Sequence, residues 1–325
     1  MRKRLPRREE STKRPDLGEL VLRILDSETP SGRFIEHAQG TVVWAGSQRC
    51  RVRSPGAERV VQLAGQRVAV GDEVTIGLSE DRETWLLVTI GERRTKLSRP
   101  DVGNANLERV VVANVEVVCL VVAVVAPPLH PRIIDRYLIA IEKGGAAPIL
   151  CVNKVDLLDE RSGDELAKLD PYRALNVPIY PCSTKTGDGI EEVRAALHGK
   201  TAAFVGHSGV GKSSLMNALY PGLDLDTGAV SEGYGRGTHT TSASSLHDFP
   251  GGTRLIDTPG IRSFGIGKLT PQELQWHFPE FEQVTCKFRD CTHDHEPNCG
   301  VRDAALSGTI HPARYDTYLR LLKGD

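Results

Sequence analysis

The sequence has no apolar run of the roughly 20 residues that a membrane-spanning helix needs, although 39% of its 325 residues are hydrophobic. Arg2, Lys3 and Arg4 lead into no apolar segment, so neither an anchor nor a secretory signal is expected, and the expected compartment is the cytoplasm. Net charge is almost absent too: 41 Lys and Arg face 42 Asp and Glu. A disulfide framework is missing as well, because the 7 cysteines are an odd number. Three of them lie near the C-terminus beside histidines, which suits metal ligation in a reducing compartment. The remainder reads as a globular chain, expected to be a monomer, with room for two or three domains.

Neutrality overall hides a basic start. Arg2, Lys3, Arg4, Arg7, Arg8, Lys13 and Arg14 stand against Glu9 and Glu10, so residues 1–36 read as a basic flexible arm, either a solubilising tail or a contact for a polyanion such as RNA. Residues 37–98 break into short β-rich pieces at 41–44, 50–53, 59–63, 67–70, 73–76 and 84–90, separated by turn signals. That spacing predicts a small barrel of the OB-fold type. Arg51, Arg53, Arg59 and Arg67 alternate with apolar residues, which would let several share an outer face. Residues 91–100 read as a basic linker.

From residue 99 to 265 the pattern changes to alternating strands and helices, the mark of a doubly wound α/β sheet with ligands at its strand C-terminal ends. Its centre is Gly206, His207, Ser208, Gly209, Val210, Gly211, Lys212, Ser213 and Ser214, which fits Gly-x-x-x-x-Gly-Lys-[Ser/Thr] between an apolar strand at 201–205 and a helix at 212–219. Strand, glycine loop and helix together aim backbone N–H groups and a helix dipole at one anion, as a di- or triphosphate requires. Lys212 is placed against the β- and γ-phosphates and Ser213 on Mg²⁺.

Base selection is expected from Asn153, Lys154, Val155 and Asp156, directly after an apolar strand. Asp156 would accept from the guanine ring N–H and amine, Asn153 would bond the base edge, and the Lys154 stem would cover the ring. Adenine has no 2-amino group and offers a lone pair at N1, so GTP or GDP is favoured over ATP. Ser183 and Lys185 in Ser-Thr-Lys-Thr would buttress the base from the next strand end. Thr240 and Thr241 are candidates for a second Mg²⁺ ligand. Asp257 ends a strand in the arrangement that attends Mg²⁺, and Gly260 can offer its N–H to the γ-phosphate. Next comes Ile261, which cannot orient water. Slow intrinsic hydrolysis is therefore expected, with His239 or a partner positioning the nucleophile.

Residues 266–325 contain Cys286, Cys291, His293 and Cys299. Three thiolates and an imidazole make a closed tetrahedral set for one structural Zn²⁺. His295 is the alternative imidazole. Beyond it, residues 302–322 read as helical with a break near Gly308 and Pro312.

The motifs come in an unusual order, guanine reader before phosphate loop, which implies a circularly permuted domain. On that order, and on Leu97-Ser-Arg-Pro100, Asp135-Arg-Tyr137, the His239-Thr-Thr241 loop and Arg314-Tyr315, the chain resembles the RsgA/YjeQ family. The resemblance implies a multidomain α/β protein: an OB-fold barrel over 37–98, a circularly permuted P-loop GTPase domain over 99–265 and a zinc-binding helical domain over 266–325. It also implies a GTP hydrolase acting in late maturation of the small (30S) ribosomal subunit, binding its rRNA and stimulated by it. Where relatives commonly carry glutamine in the phosphate loop, this chain has His207, expected to matter little. The rival readings are an RNA-binding module in which hydrolysis is incidental, and a P-loop ATPase or kinase.

Overall fold

In the computed structural model, which describes residues 34–101, 108–159, 163–223, 225, 244–258, 266–267 and 269–324, the first β-rich stretch closes on itself. Strands β1 (Phe34–Ala45), β2 (Arg49–Ser54), β3 (Ala57–Gln62), β4 (Glu73–Ser79) and β5 (Trp85–Ile90) run in the order β1-β2-β3-β5-β4 and back to β1. Neighbours are antiparallel except β3 and β5. Period-2 alternation explains the closure: Cys50, Val52, Val61, Val74, Ile76 and Leu87 point inward and make one apolar cluster. The first half of β1 gives no apolar alternation because its side chains are mostly exposed, yet it pairs in register with β4.

Two expectations need correction. Residues 67–70 form no strand, because Val68, Ala69 and Val70 are buried in succession rather than alternately. Ala69 N–H closes a turn on Asp72 Oδ2 at 2.7 Å, and Val70 makes a lone parallel bridge to Val112. Residues 91–100 are more than a linker. They include β6 (Lys96–Pro100), antiparallel to β7 (Glu108–Ala113), and Leu97 is buried in the same apolar cluster as Val43 of the barrel and Val112 of β7. The four barrel arginines also part company. Arg51 and Arg53 share the outer face with Trp44, whereas Arg59 is paired across from Val52 and lies 4.6 Å from the Trp85 ring, and Arg67 bonds Asp101.

From β1, where Trp44 pairs with Ser245, the hydrogen bonding continues into a largely parallel unit built from β8 (Val117–Ala123), β9 (Ala147–Asn153), β10 (Ile179–Pro181), β11 (Thr201–Val205), β12 (Ser245–Asp248) and β13 (Arg254–Asp257). Their order is β10-β9-β8-β11-β13-β12, parallel except for β12. Each central strand sends alternate residues to opposite faces. Val118, Leu120 and Val122 of β8 join Leu150, Val152, Ala203 and Ile256 in one core, while Cys119 and Val121 join Ile149, Cys151, Phe204 and Leu255 in the other.

The helices that cover those faces are α1 (Pro131–Lys143), α2 (Gly163–Ala167), α3 (Asp170–Ala174), α4 (Ile190–Leu197) and α5 (Lys212–Leu219). The first face takes Ile134, Tyr137 and Ile141 of α1 and Tyr172 of α3, and the second takes Val193 of α4 and Leu215 of α5. Residues 163–175 divide into two short helices because Pro171 sits in the first turn of α3, a position where its missing N–H costs nothing but where it cannot continue α2.

The C-terminal lobe holds α6 (Pro271–Trp276), α7 (Gly300–Ser307) and α8 (Pro312–Leu322), packed around Leu274, Phe278, Phe281, Val301 and Tyr318. Gly308, at φ 81°, ends α7 in the left-handed conformation that glycine tolerates best. Helix α1 serves two cores, since Ile139 belongs to the cluster of this lobe while its other apolar face covers the sheet.

Candidate nucleotide and metal sites

β11 is buried throughout and delivers the chain into a turn that needs glycine. Gly206, Gly209 and Gly211 have φ of 142°, 81° and 92°. A Cβ on Gly206 would stand 2.2 Å from Val121 O, and one on Gly211 would stand 2.3 Å from Asn153 Nδ2. Side chains are excluded at both positions by sterics as well as by backbone conformation. The turn ends where α5 begins, so the N–H groups of Lys212, Ser213 and Ser214 have no helical carbonyl to bond. Lys212 Nζ folds back and donates to Gly206 O and His207 O, both at 2.9 Å. His207 itself is exposed, with Nδ1 3.1 Å from Ser208 O.

Asp257 ends β13, hydrogen-bonded alongside β11. The Thr258 hydroxyl donates to Phe204 O and fixes that strand end against the phosphate loop's own strand. Burial pushes the Asp257 carboxyl up from its ordinary range, opposed by Lys212 and then His247. It pushes the Lys212 ammonium down, opposed by Asp257. Both groups are thus set in a partly desolvated place, where a cation beside Asp257 and a polyphosphate beside Lys212 would favour their charged forms. His247 was not singled out in the sequence because β12 was not expected. It faces Ser245 Oγ at 2.9 Å, and burial lowers its pKa.

One amide ties the Asn153–Asp156 turn to the glycine loop. Asn153 is fully buried; its Nδ2 donates to Val210 O at 2.9 Å and its Oδ1 accepts from Thr184 N at 3.3 Å. Lys154, in the left-handed region at φ 66°, donates to Gly209 O at 2.7 Å and to Ala126 O. Val155 N donates to Cys182 O at 3.2 Å, bringing the turn against the next strand. Asp156 Oδ1 accepts from the Ser183 hydroxyl at 2.6 Å, and Lys185 Nζ lies 3.9 Å from its other oxygen. Ser183 Oγ accepts in turn from the N–H groups of Lys185 and Thr186, each at 3.2 Å. Base-reading and phosphate-holding candidates therefore occupy one edge of one sheet. The joining role of Asn153 could not be read from the motif, which shows only that an amide is present. His239, Thr240, Thr241, Gly260 and Ile261 lie outside the described residues.

In the C-terminal lobe the ligand atoms of Cys286, Cys291, His293 and Cys299 all lie within 4.8 Å of one another. The sulfurs of Cys286 and Cys299 are 3.9 Å apart, and His293 Nδ1 is 3.5 Å from each. Tetrahedral zinc, with Zn–S near 2.3 Å and Zn–N near 2.0–2.1 Å, requires S···S of about 3.8 Å and S···N of about 3.5 Å. The donor set and its spacing fit that ion. His295 is exposed, so the imidazole of the set is His293. His293 adopts φ 63° and is held by Tyr315 OH donating to its carbonyl at 2.6 Å. Cys299 also caps α7, accepting from Arg302 N at 3.4 Å.

A motif the sequence singled out without a role also finds one. Asp135 of α1 is fully buried and pairs with Arg314 of α8 at 2.7 Å, and Arg314 also bonds Glu280 at 2.7 Å. The pair pins the C-terminal lobe to the sheet's covering helix.

Comparison with known proteins agrees with this geometry. Residues 90–267 match the family model described as RsgA GTPase. The small ribosomal subunit biogenesis GTPase RsgA of Gemmatimonas aurantiaca is 41% identical over 258 residues, covering 78% of this chain and 83% of that protein. The protein of the same name from Pseudomonas fluorescens is 42% identical, with 78% and 74% covered. Among solved structures, YjeQ from Thermotoga maritima superposes with a TM-score of 0.68 at 32% identity, covering 89% of this chain and 98% of that one. YloQ, described as a circularly permuted GTPase, gives 0.63 at 27% identity, covering 90% and 96%. With more than half of its length matched by that family model and 41–42% identity to these relatives, the chain belongs to the RsgA GTPase family.

Proposed function

We propose that the chain binds GTP along the sheet edge shared by Asp156 and the phosphate loop, hydrolyses it, and uses the cycle to time its release from the small ribosomal subunit during late maturation. What supports this reading most is the Asn153 clamp, which holds Asp156 beside the loop that would carry the nucleotide's phosphates. Asp156, oriented by Ser183 and Lys185, would accept from the guanine N–H and amine. Asn153, its amide engaged by Val210 O and Thr184 N, would keep Asp156 in register with the loop, and the Lys154 stem would cover the base's face. Residues 206–214 would hold the phosphates, with Lys212 leaving its two carbonyls for the β- and γ-oxygens. Ser213, Asp257 and one of Thr240 or Thr241 would hold Mg²⁺, whose part is to neutralise charge developing on the phosphates. Gly260 would donate to the γ-phosphate, and His239 would orient water, a task Ile261 cannot perform.

Zn²⁺ is the ion we assign to Cys286, Cys291, His293 and Cys299, with a structural part because the set leaves no open position. The barrel, the permuted GTPase unit and the metal lobe divide at about residues 98 and 265, and the partner surface is rRNA. The working form is a cytoplasmic monomer. Among the described residues no helix is long and apolar enough to cross a membrane.

The test is GTP turnover with and without purified small subunits across salt, beside Lys212→Ala. Stimulation by subunits that Lys212→Ala abolishes is expected, and turnover indifferent to subunits would instead favour an RNA-binding module. Base reading has its own test. Asp156→Asn exchanges an acceptor for donors, so it should weaken GTP by at least about 100-fold and admit XTP, whose C2 carbonyl accepts. Equal binding of ATP and GTP by the unaltered chain would sink the guanine reading.

A further inference from the structure

The stretch between two of the metal-ligand candidates presents an aromatic ring to solvent. Cys286 and Cys291 bound Lys287, Phe288, Arg289 and Asp290, all four of them exposed. Among the described residues, Phe288 at 40% and Trp276 at 69% are the exposed phenylalanine and tryptophan, and both belong to the metal lobe. The core of that lobe buries Phe278 and Phe281, so Phe288 is the phenylalanine it leaves out.

The ring is held outward because both ends of its loop are fixed. The Cys286 sulfur lies in the Cys₃His cluster, and Lys287 N donates to Asn298 O at 3.5 Å. At the other end the Cys291 sulfur joins the same cluster, and the Cys291 carbonyl accepts from Gln275 Nε2 at 2.9 Å. Four residues tied at both ends lose little freedom when something binds them. Lys287 Nζ lies 5.6 Å from the Phe288 ring centroid, which keeps a cation at the ring. Arg289 follows directly, and Asp290 is the loop's single acid; neither forms a hydrogen bond or ion pair among the described residues.

An aromatic face with a cation held beside it suits a nucleobase and its phosphate. Any base can stack on such a ring, and the ammonium replaces counterions along the backbone. An apolar pocket of a protein suits it less, because covering the ring would strip Lys287 of water without supplying an opposite charge.

We propose that Phe288 stacks on an unpaired base of the small subunit's RNA, with Lys287 and Arg289 against the neighbouring phosphate. The inference rests on the small-subunit partner proposed above and names the side chain that grips a base there. None of the three belongs to the nucleotide or metal sites, so basal GTP turnover and zinc content should survive their replacement.

The experiment measures binding of full-length wild type and variants to purified small subunits at several salt concentrations. Phe288→Ala should bind roughly tenfold more weakly at about 0.15 M salt, with the salt slope unchanged, since stacking releases no counterions. Phe288→Trp should bind at least as tightly as wild type, which a folding defect would not allow. Phe288→Leu keeps an apolar side chain without a stacking face and should bind as weakly as Phe288→Ala. Full binding by Phe288→Leu would mean an apolar protein pocket and overturn the base assignment. Lys287→Ala/Arg289→Ala should make the log–log salt slope shallower by about one. Wild-type binding with an unchanged Phe288→Ala overturns the stacking contact alone, whereas failure of wild type to bind overturns the partner reading beneath it.

Discussion

Asp257 and Lys212 show how a residue's duty is written against its own comfort. Burial raises the Asp257 carboxyl above its ordinary range, so the folded chain holds that proton more tightly than the unfolded chain does. The ionised carboxylate therefore subtracts stability above the unfolded value of about 3.9. That loss grows as pH rises and is complete above the folded value. Asp257→Asn should raise the nucleotide-free Tm at pH 7.5, by roughly 2–4 °C for each kcal/mol regained, while abolishing Mg²⁺-dependent turnover. The gain should shrink on acidification, as scanning calorimetry across pH would record. A lower Tm for the variant at pH 7.5 would mean that attraction to Lys212 outweighs burial. The glycines and Lys212 of the phosphate loop were legible in sequence because their spacing is itself the mechanism. The bond from Asn153 to Val210 was not, because it joins residues 57 apart.

Among the elements, the C-terminal lobe depends most on something other than its own apolar area. Its helices α6, α7 and α8 are 6, 8 and 11 residues long, too short to persist alone. Cys299 caps α7 as well as completing the cluster, and Tyr315 and Tyr318 bond the carbonyls of His293 and Thr292. Chelation should therefore melt the lobe as a unit. Hydrogen exchange over residues 270–324 should accelerate by at least about 100-fold, while the barrel and the central sheet keep their protection. Elemental analysis should give one zinc per chain, and none after Cys291→Ser. A metal-free chain that keeps full protection in this lobe would refute the structural assignment. Cysteine and histidine spacing made this cluster visible in sequence, whereas residues 67–70 misled because β-branched content alone does not distinguish a strand from a buried turn.

Across the whole molecule, the Arg314–Asp135 contact joins two lobes 179 residues apart in the chain. Arg314 also lies 4.3 Å from the Phe278 ring. Burial drives the Asp135 carboxyl up, whereas Asp135 and Glu280 hold the Arg314 guanidinium firmly protonated. Arg314→Met should cost about 3–5 kcal/mol, because it leaves Asp135 buried and Glu280 without its fork. Adding Asp135→Leu should recover part of that loss. Urea denaturation of the double-mutant cycle measures both, and strictly additive effects would show that the two residues do not act together. The sequence by itself marked the candidate residues of each site, since a glycine loop of Gly-x-x-x-x-Gly-Lys-Ser spacing, an Asn-Lys-Val-Asp turn and a Cys₃His set are local patterns of residue type and spacing. It also determined the alternation that makes one barrel and one two-faced sheet. Only the tertiary structure decided which distant groups meet: the Asn153 clamp, the desolvation shared by Asp257 and Lys212, and the lobe-joining ion pair. Local patterning is imposed by backbone period and side-chain type, whereas these contacts depend on how the strands are ordered and how the lobes pack.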